Sequence, residues 1–175
     1  MDVVTGGRPP AIVVMGVSGS GKTTVGAALA VKLGVPFRDA DEFHPPANVA
    51  KMSKGIALED ADRWPWLDAI GAAIRNTPPD TAVVVSCSAL KRIYRDRIAK
   101  AARRPIDFVY LHGPQAILEE RMKTRTGHFM PASLLPSQLA TLEPPGADER
   151  ALPMPIDLPV DEIVRRVLAA LGQPA

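Results

Sequence analysis

The residues Gly16-Val17-Ser18-Gly19-Ser20-Gly21-Lys22-Thr23 satisfy the spacing G-x-x-x-x-G-K-[ST] in full. Glycines at those points let the backbone curl until successive N–H groups face one hollow, at the positive end of the helix that follows. A triphosphate fits such a hollow. The Lys22 ammonium is expected to reach the β- and γ-phosphates, and the Thr23 hydroxyl to ligate Mg²⁺. The nucleotide-binding set is therefore Gly16, Ser18, Gly19, Ser20, Gly21, Lys22, Thr23 and the adjoining Thr24.

The segment Asp39-Ala40-Asp41-Glu42-Phe43-His44 is dense in polar groups. A carboxylate close to the γ-phosphate can orient an acceptor hydroxyl and take its proton, which is the role expected of Asp41. Asp39 is expected to hold Mg²⁺ through water. Either aspartate can instead cap the following turn. His44 is a candidate substrate contact, with a structural hydrogen bond as its alternative.

These groups need a scaffold that brings them to one edge. Ala11 to Met15 reads as a strand buried on both faces, and Val25, Ala28, Leu29 and Leu33 fall on one face of a helix ended by Gly34 and Pro36. Strands are expected again near Phe37 to Ala40, at Ala82 to Ser86 and at Ile106 to Leu111. Helical patterns follow at about Asp60 to Ile74, after Ser86, from Pro114 to about Thr126 and from Val160 to Leu171. Pro45 and Pro46 read as loop, and prolines break most of the final third into short pieces. Strands alternating with helices imply an α/β fold with a parallel sheet covered on both faces. Ligands then sit beyond the carboxyl ends of the strands, where Gly16–Thr23 and Asp39–His44 both fall.

Composition limits the setting. The chain has 175 residues, enough for one domain over 11–175 with a loose tail at 1–10. No apolar run approaches the length of a membrane span. Cys87 is the sole cysteine and no secretory leader is recognisable, so a cytoplasmic protein is expected. The formal net charge of +2 is too small for a protein whose main partner is a long polyanion. A GTP switch is disfavoured because neither Asn48 nor Asn76 begins an N-K-x-D motif.

The stretch from Asp39 to Leu67, DADEFHPPANVAKMSKGIALEDADRWPWL, resembles the signature of the gluconokinase family of phosphate-loop kinases. Matching blocks follow at Cys87–Arg92 with Tyr94–Asp96, at Gly127–Phe129 and at Gly146–Arg150. Ala57 departs from the pattern, which usually has proline there. The resemblance implies ATP-dependent phosphorylation of the terminal hydroxyl of D-gluconate. It also implies a three-layer α/β/α fold similar to shikimate kinase and nucleoside monophosphate kinases, with a five-stranded parallel sheet, a substrate region at 39–76, a mobile helical lid at about 121–142, and a homodimer.

A sugar acid and ATP are both anionic and call for cations. Lys91 and Arg95, four apart on one helix face, are expected to hold gluconate, with a solvated face as the alternative. Arg63 is a candidate carboxylate ligand by similarity to shikimate kinase. Trp64 and Trp66 line either the pocket or the core. Arg121 and Arg125, with His128 as a further substrate contact, are assigned to the lid, where the arginines would offset charge on the transferring phosphoryl group. Ion pairs with Glu119 or Glu120 are the alternative. The rival functions are a phosphate-loop kinase of another small acceptor, such as a shikimate-like acid or nucleoside monophosphate, and a nucleotide-dependent RNA-binding regulator using the basic Lys91–Arg104 segment.

Overall fold

The computed structural model describes residues 9–124 and 134–174. Within them the strands β1 (Ala11–Met15), β2 (Phe37–Asp39), β3 (Val83–Ser86), β4 (Asp107–His112) and β5 (Ala151–Pro155) form one parallel sheet in the order β2-β3-β1-β4-β5. The helices are α1 (Lys22–Leu33), α2 (Pro46–Ser53), α3 (Asp60–Arg75), α4 (Arg92–Ala102), α5 (Gln115–Lys123), α6 (Leu135–Thr141) and α7 (Val160–Ala170).

Every residue of β1 is buried, because both faces of the central strand carry a core. Ile12 and Val14 pack with Val25 and Leu29 of α1 and with Ile163 and Val167 of α7. Ala11, Val13 and Met15 pack on the other face with Leu67 and Ile70 of α3 and with Tyr94 and Ile98 of α4. Burying side chains of this size contributes about 1.5–3 kcal/mol each. The α3–α4 pair is tight. A Cβ on Gly71 would stand 2.4 Å from the Ala101 Cβ and 2.8 Å from the Ile98 carbonyl oxygen, so only glycine lets these helices approach.

Two elements depart from the sequence reading. The loop expected around Pro45 and Pro46 contains α2, which starts on Pro46; proline suits the first turn, where its missing N–H has no helical partner. The proline-rich final third contains β5, with Pro153 paired to Tyr110 and Pro155 to His112. Proline is tolerated there because β5 is the edge strand of the sheet formed by the described residues. Of the expected tail, Pro9 and Pro10 are described, and their carbonyls accept from Arg104 Nη2 at 2.9 Å and from the Val83 N–H at 3.1 Å. The rest of the tail lies outside the described residues, as does most of the first half of the expected lid. Among the described residues no helix is long and apolar enough to cross a membrane.

Candidate active site

β1 and β3 are neighbours, yet the chain leaves β1 for α1 on one face and β3 for α4 on the other. Connections that part in this way open a crevice beyond the strand ends. The Gly16 N–H donates to the Ser88 carbonyl across it at 3.3 Å. β2 ends level with its neighbours, Asp39 being in register with Ser86 and Ser86 with Val14. The phosphate loop and the Asp39–His44 segment therefore meet at one place.

Gly16 enters the loop with a φ of +152°, and a Cβ there would lie 2.8 Å from the Leu111 carbonyl oxygen and 2.7 Å from Ser20 Oγ. Gly21, at φ +94°, precedes α1 without a side-chain cap, leaving the first N–H groups of the helix to a ligand. Lys22 Nζ donates to the carbonyls of Gly16 and Val17 at 3.0 Å each, so the ammonium lies over the loop. Ser20 Oγ is buried with no hydrogen-bond partner among the described residues. That orphaned hydroxyl fits a bound phosphate oxygen.

Ser18, Gly19, Gly21, Lys22 and Thr23 share one cavity with Asp39, Asp41 and His44. The charges of Lys22, Asp41 and Asp39 all act on the Cys87 thiol in its wall, and burial pushes that thiol up to about 12, so it stays protonated. Asp39 Oδ1 accepts from the Asp41 N–H at 2.9 Å and caps the 3₁₀ turn Ala40–Phe43. The cap orients Asp41 and engages one Asp39 oxygen. Thr24 is exposed on α1 and is not in the cavity wall.

His44, Trp66, Ser88 and Gln138 also line a second chamber, together with Arg63, Tyr94 and the apolar Met52, Leu58 and Leu90. The His44 ring stacks on Trp66 with centroids 4.1 Å apart and planes 13° from parallel. Burial, and secondarily the charge of Arg63, lowers the His44 pKa to about 4, so the ring is neutral at pH 7. Trp66 is itself pinned, Nε1 donating to the Ala40 carbonyl at 2.7 Å.

Arg63 Nη1 donates to the Tyr94 hydroxyl at 3.1 Å and lies 3.6 Å from Asp60 Oδ1, while the Tyr94 hydroxyl donates to that same carboxylate. The Tyr94 hydrogen bond leads the effects holding Asp60 below the usual carboxylate range. Desolvation, with the Asp60 bond behind it, pushes Tyr94 up to about 12. Lys91 Nζ stands 3.5 Å from the same Asp60 oxygen. Arg63 is in the chamber wall, whereas Lys91 is not among the residues lining either chamber.

The expectation for Arg95 is corrected. Helical spacing puts Lys91 and Arg95 on one face but does not say which face is outside, and Arg95 is 1% exposed inside the protein. Its guanidinium is engaged by Glu149 and by three backbone carbonyls, away from both chambers. Of the other basic residues, Arg92 pairs with Asp148 and Arg97 with Asp68, each at 2.8 Å.

Arg121 reaches back to the phosphate loop, with Nη1 3.4 Å from the Gly19 carbonyl and 3.5 Å from that of Ser20, while Nη2 donates to Ile156 O at 2.8 Å. Glu120 is paired with Lys123, and Glu119 accepts from Gln115. Arg125 and His128 lie outside the described residues.

Sequence reasoning missed Gln138. Its Oε1 accepts the Ser18 N–H at 2.7 Å, so α6 touches the phosphate loop at the junction of the two chambers. No local pattern marks a glutamine 120 residues from its partner.

A parallel five-stranded sheet with a G-x-x-x-x-G-K-T loop at its crevice, facing carboxylates across one cavity, defines a phosphate-loop kinase. The shikimate kinase family model matches residues 18–137. The chain is 47% identical over 167 residues to a gluconokinase of Gluconobacter oxydans, covering 93% of each chain. It is 40% identical to the thermoresistant gluconokinase of Escherichia coli, over 91% of each. The crystal structure of a gluconokinase from Sinorhizobium meliloti superposes with a TM-score of 0.83 at 54% identity, covering 94% of this chain and 92% of that one. The chain belongs to the gluconokinase family.

Proposed function

We propose that this protein transfers the γ-phosphoryl group of ATP to the terminal hydroxyl of D-gluconate, giving 6-phospho-D-gluconate and ADP. The observation that carries the reading is that Lys22 and Asp41 line one cavity, which continues into a chamber holding Arg63. Lys22, the loop N–H groups and Ser20 Oγ hold the β- and γ-phosphates. Arg63 takes the gluconate carboxylate, leaving the far end of the polyol to reach back to Asp41. Asp41 orients the terminal hydroxyl and accepts its proton as the oxygen attacks phosphorus in line with the departing ADP oxygen.

The donor set fits a hard cation held mainly by the nucleotide. The Thr23 hydroxyl and the Asp39 carboxylate line the same cavity, and no cluster of three or more His, Cys, Asp or Glu side chains able to hold an ion occurs among the described residues. Mg²⁺ bound there would neutralise charge on the β- and γ-phosphates. Arg121 adds positive charge over the loop, and the family resemblance assigns Arg125 to the same task and His128 to the acceptor, as parts of a lid. The family resemblance also supports a cytoplasmic homodimer.

The reading is tested by measuring ADP release with D-gluconate, shikimate and nucleoside monophosphates in turn, and by ³¹P NMR of the product. Turnover with D-gluconate and a phosphate on carbon 6 is expected. Absence of turnover with gluconate alongside activity on another acceptor would overturn it.

A further inference from the structure

Asn48 is 3% exposed on α2 and takes no part in the transfer just described. Its Nδ2 donates to the Asp62 carbonyl at 2.8 Å, and since a carbonyl oxygen only accepts, the amide NH₂ must be the group turned that way. The same nitrogen lies 3.3 Å from His44 Nδ1. An amide NH₂ has no acceptor capacity, so Nδ1 carries the lone pair and the ring proton sits on Nε2. The stack on Trp66 fixes the plane of the ring, and His44 lines both chambers. With Nδ1 engaged by α2, the Nε2–H edge is the one left for the cleft.

We infer that Asn48 is a positioning residue that holds His44 as a neutral Nε2–H donor to a hydroxyl of the bound polyol acid. The inference rests on the acceptor reading above. Its chemical consequence is a division of labour. A ring whose only lone pair is bonded to Asn48 donates to a hydroxyl but cannot take its proton, so the proton of the attacking hydroxyl goes to Asp41. The charged groups that share walls with His44 are Lys22, Asp39 and Asp41 in one chamber and Arg63 in the other, two cations and two anions. Burial and Arg63 keep the ring uncharged across the neutral range.

The first test reads the wild-type protein. Long-range ¹⁵N–¹H NMR of the free protein, with the His44 signals assigned by their loss in His44→Gln, should show the Nε2–H tautomer and no titration between pH 5 and 8. An Nδ1–H tautomer would overturn the inference. Asn48→Asp offers Nδ1 an acceptor in place of a donor; it should move the proton to Nδ1, carry the titration of His44 up towards neutrality and add an acid limb to kcat/KM. If that variant does not fold, Asn48→Ala should leave a mixture of tautomers. An unchanged tautomer in the variant that folds would overturn the inference. In Asn48→Ala, kcat/KM for D-gluconate should fall about tenfold, the scale of one lost hydrogen bond, with KM for ATP unmoved. Unchanged kcat/KM would remove the positioning role and leave the gluconate reading intact. Failure of the wild type to phosphorylate D-gluconate would remove the acceptor, and the role with it, while the tautomer stood as described.

Discussion

Arg95 and Glu149 close on each other inside the protein, Nε to Oε1 at 2.7 Å and Nη2 to Oε2 at 3.1 Å, across 54 residues of sequence. Nη1 donates to the carbonyls of Ala89 and Leu90 and Nη2 also to that of Glu143, so each of the five guanidinium N–H groups has a partner. The pair ties α4 to the segments that follow β3 and precede β5. Removing one side leaves a buried charge unmatched, and Arg95→Ala should cost about 3–5 kcal/mol in urea unfolding. A loss below about 1 kcal/mol would contradict this.

The same pair makes stability depend on pH. The Arg95 hydrogen bond, foremost, holds the Glu149 carboxyl below its ordinary 4.5. A depressed folded pKa contributes stability that is present above the unfolded value and is lost as pH falls through the folded one. Wild-type urea midpoints should therefore drop below about pH 4.5. Glu149→Gln, less stable at pH 7, should show a smaller drop over that range; an identical pH profile would remove Glu149 from the account.

Arg63 lines the second chamber, whereas the phosphate loop lines the first. Arg63→Gln should raise KM for D-gluconate about 10- to 100-fold, the scale of a charge-assisted hydrogen bond, and leave KM for ATP within about twofold. Equal effects on both constants would show that Arg63 supports the fold and does not hold the acceptor.

Lys22 donates to the carbonyls of its own loop at 3.0 Å, and bound phosphates would draw those bonds to themselves. Lys22→Met should lower kcat at least about 100-fold, since the ammonium meets charge that develops during transfer. Circular dichroism and the urea midpoint should stay near wild type, because the loop retains its glycine geometry. A variant with near-normal kcat would exclude Lys22 from catalysis.

Where local chemistry decides structure, the sequence was readable. β1, α1 and the loop between them follow from AIVVM, from the 3.6-residue period and from three glycines, all decided within about twenty residues. β5 was not readable, because whether Pro153 and Pro155 are tolerable depends on their place at the sheet edge, a tertiary fact. α2 was hidden in a similar way, Pro46 serving equally well in a loop or at a helix start. The meeting of Lys22 and Asp41 in one cavity was legible because strand ends converge in a parallel sheet. Arg95 was misplaced because residue spacing gives a face but not a depth. Gln138 and Asn48 act through partners fixed only when the chain is folded.

The proposed transfer requires Asp41 to take the proton of the hydroxyl that attacks the phosphate held by Lys22. Asp41→Asn keeps the shape and the backbone bond from the Asp41 N–H to Asp39 while removing the base. Its kcat with D-gluconate and ATP, measured beside ATP affinity by calorimetry, should fall by about 10²–10⁴ with affinity unchanged. A kcat within about threefold of wild type would contradict the account.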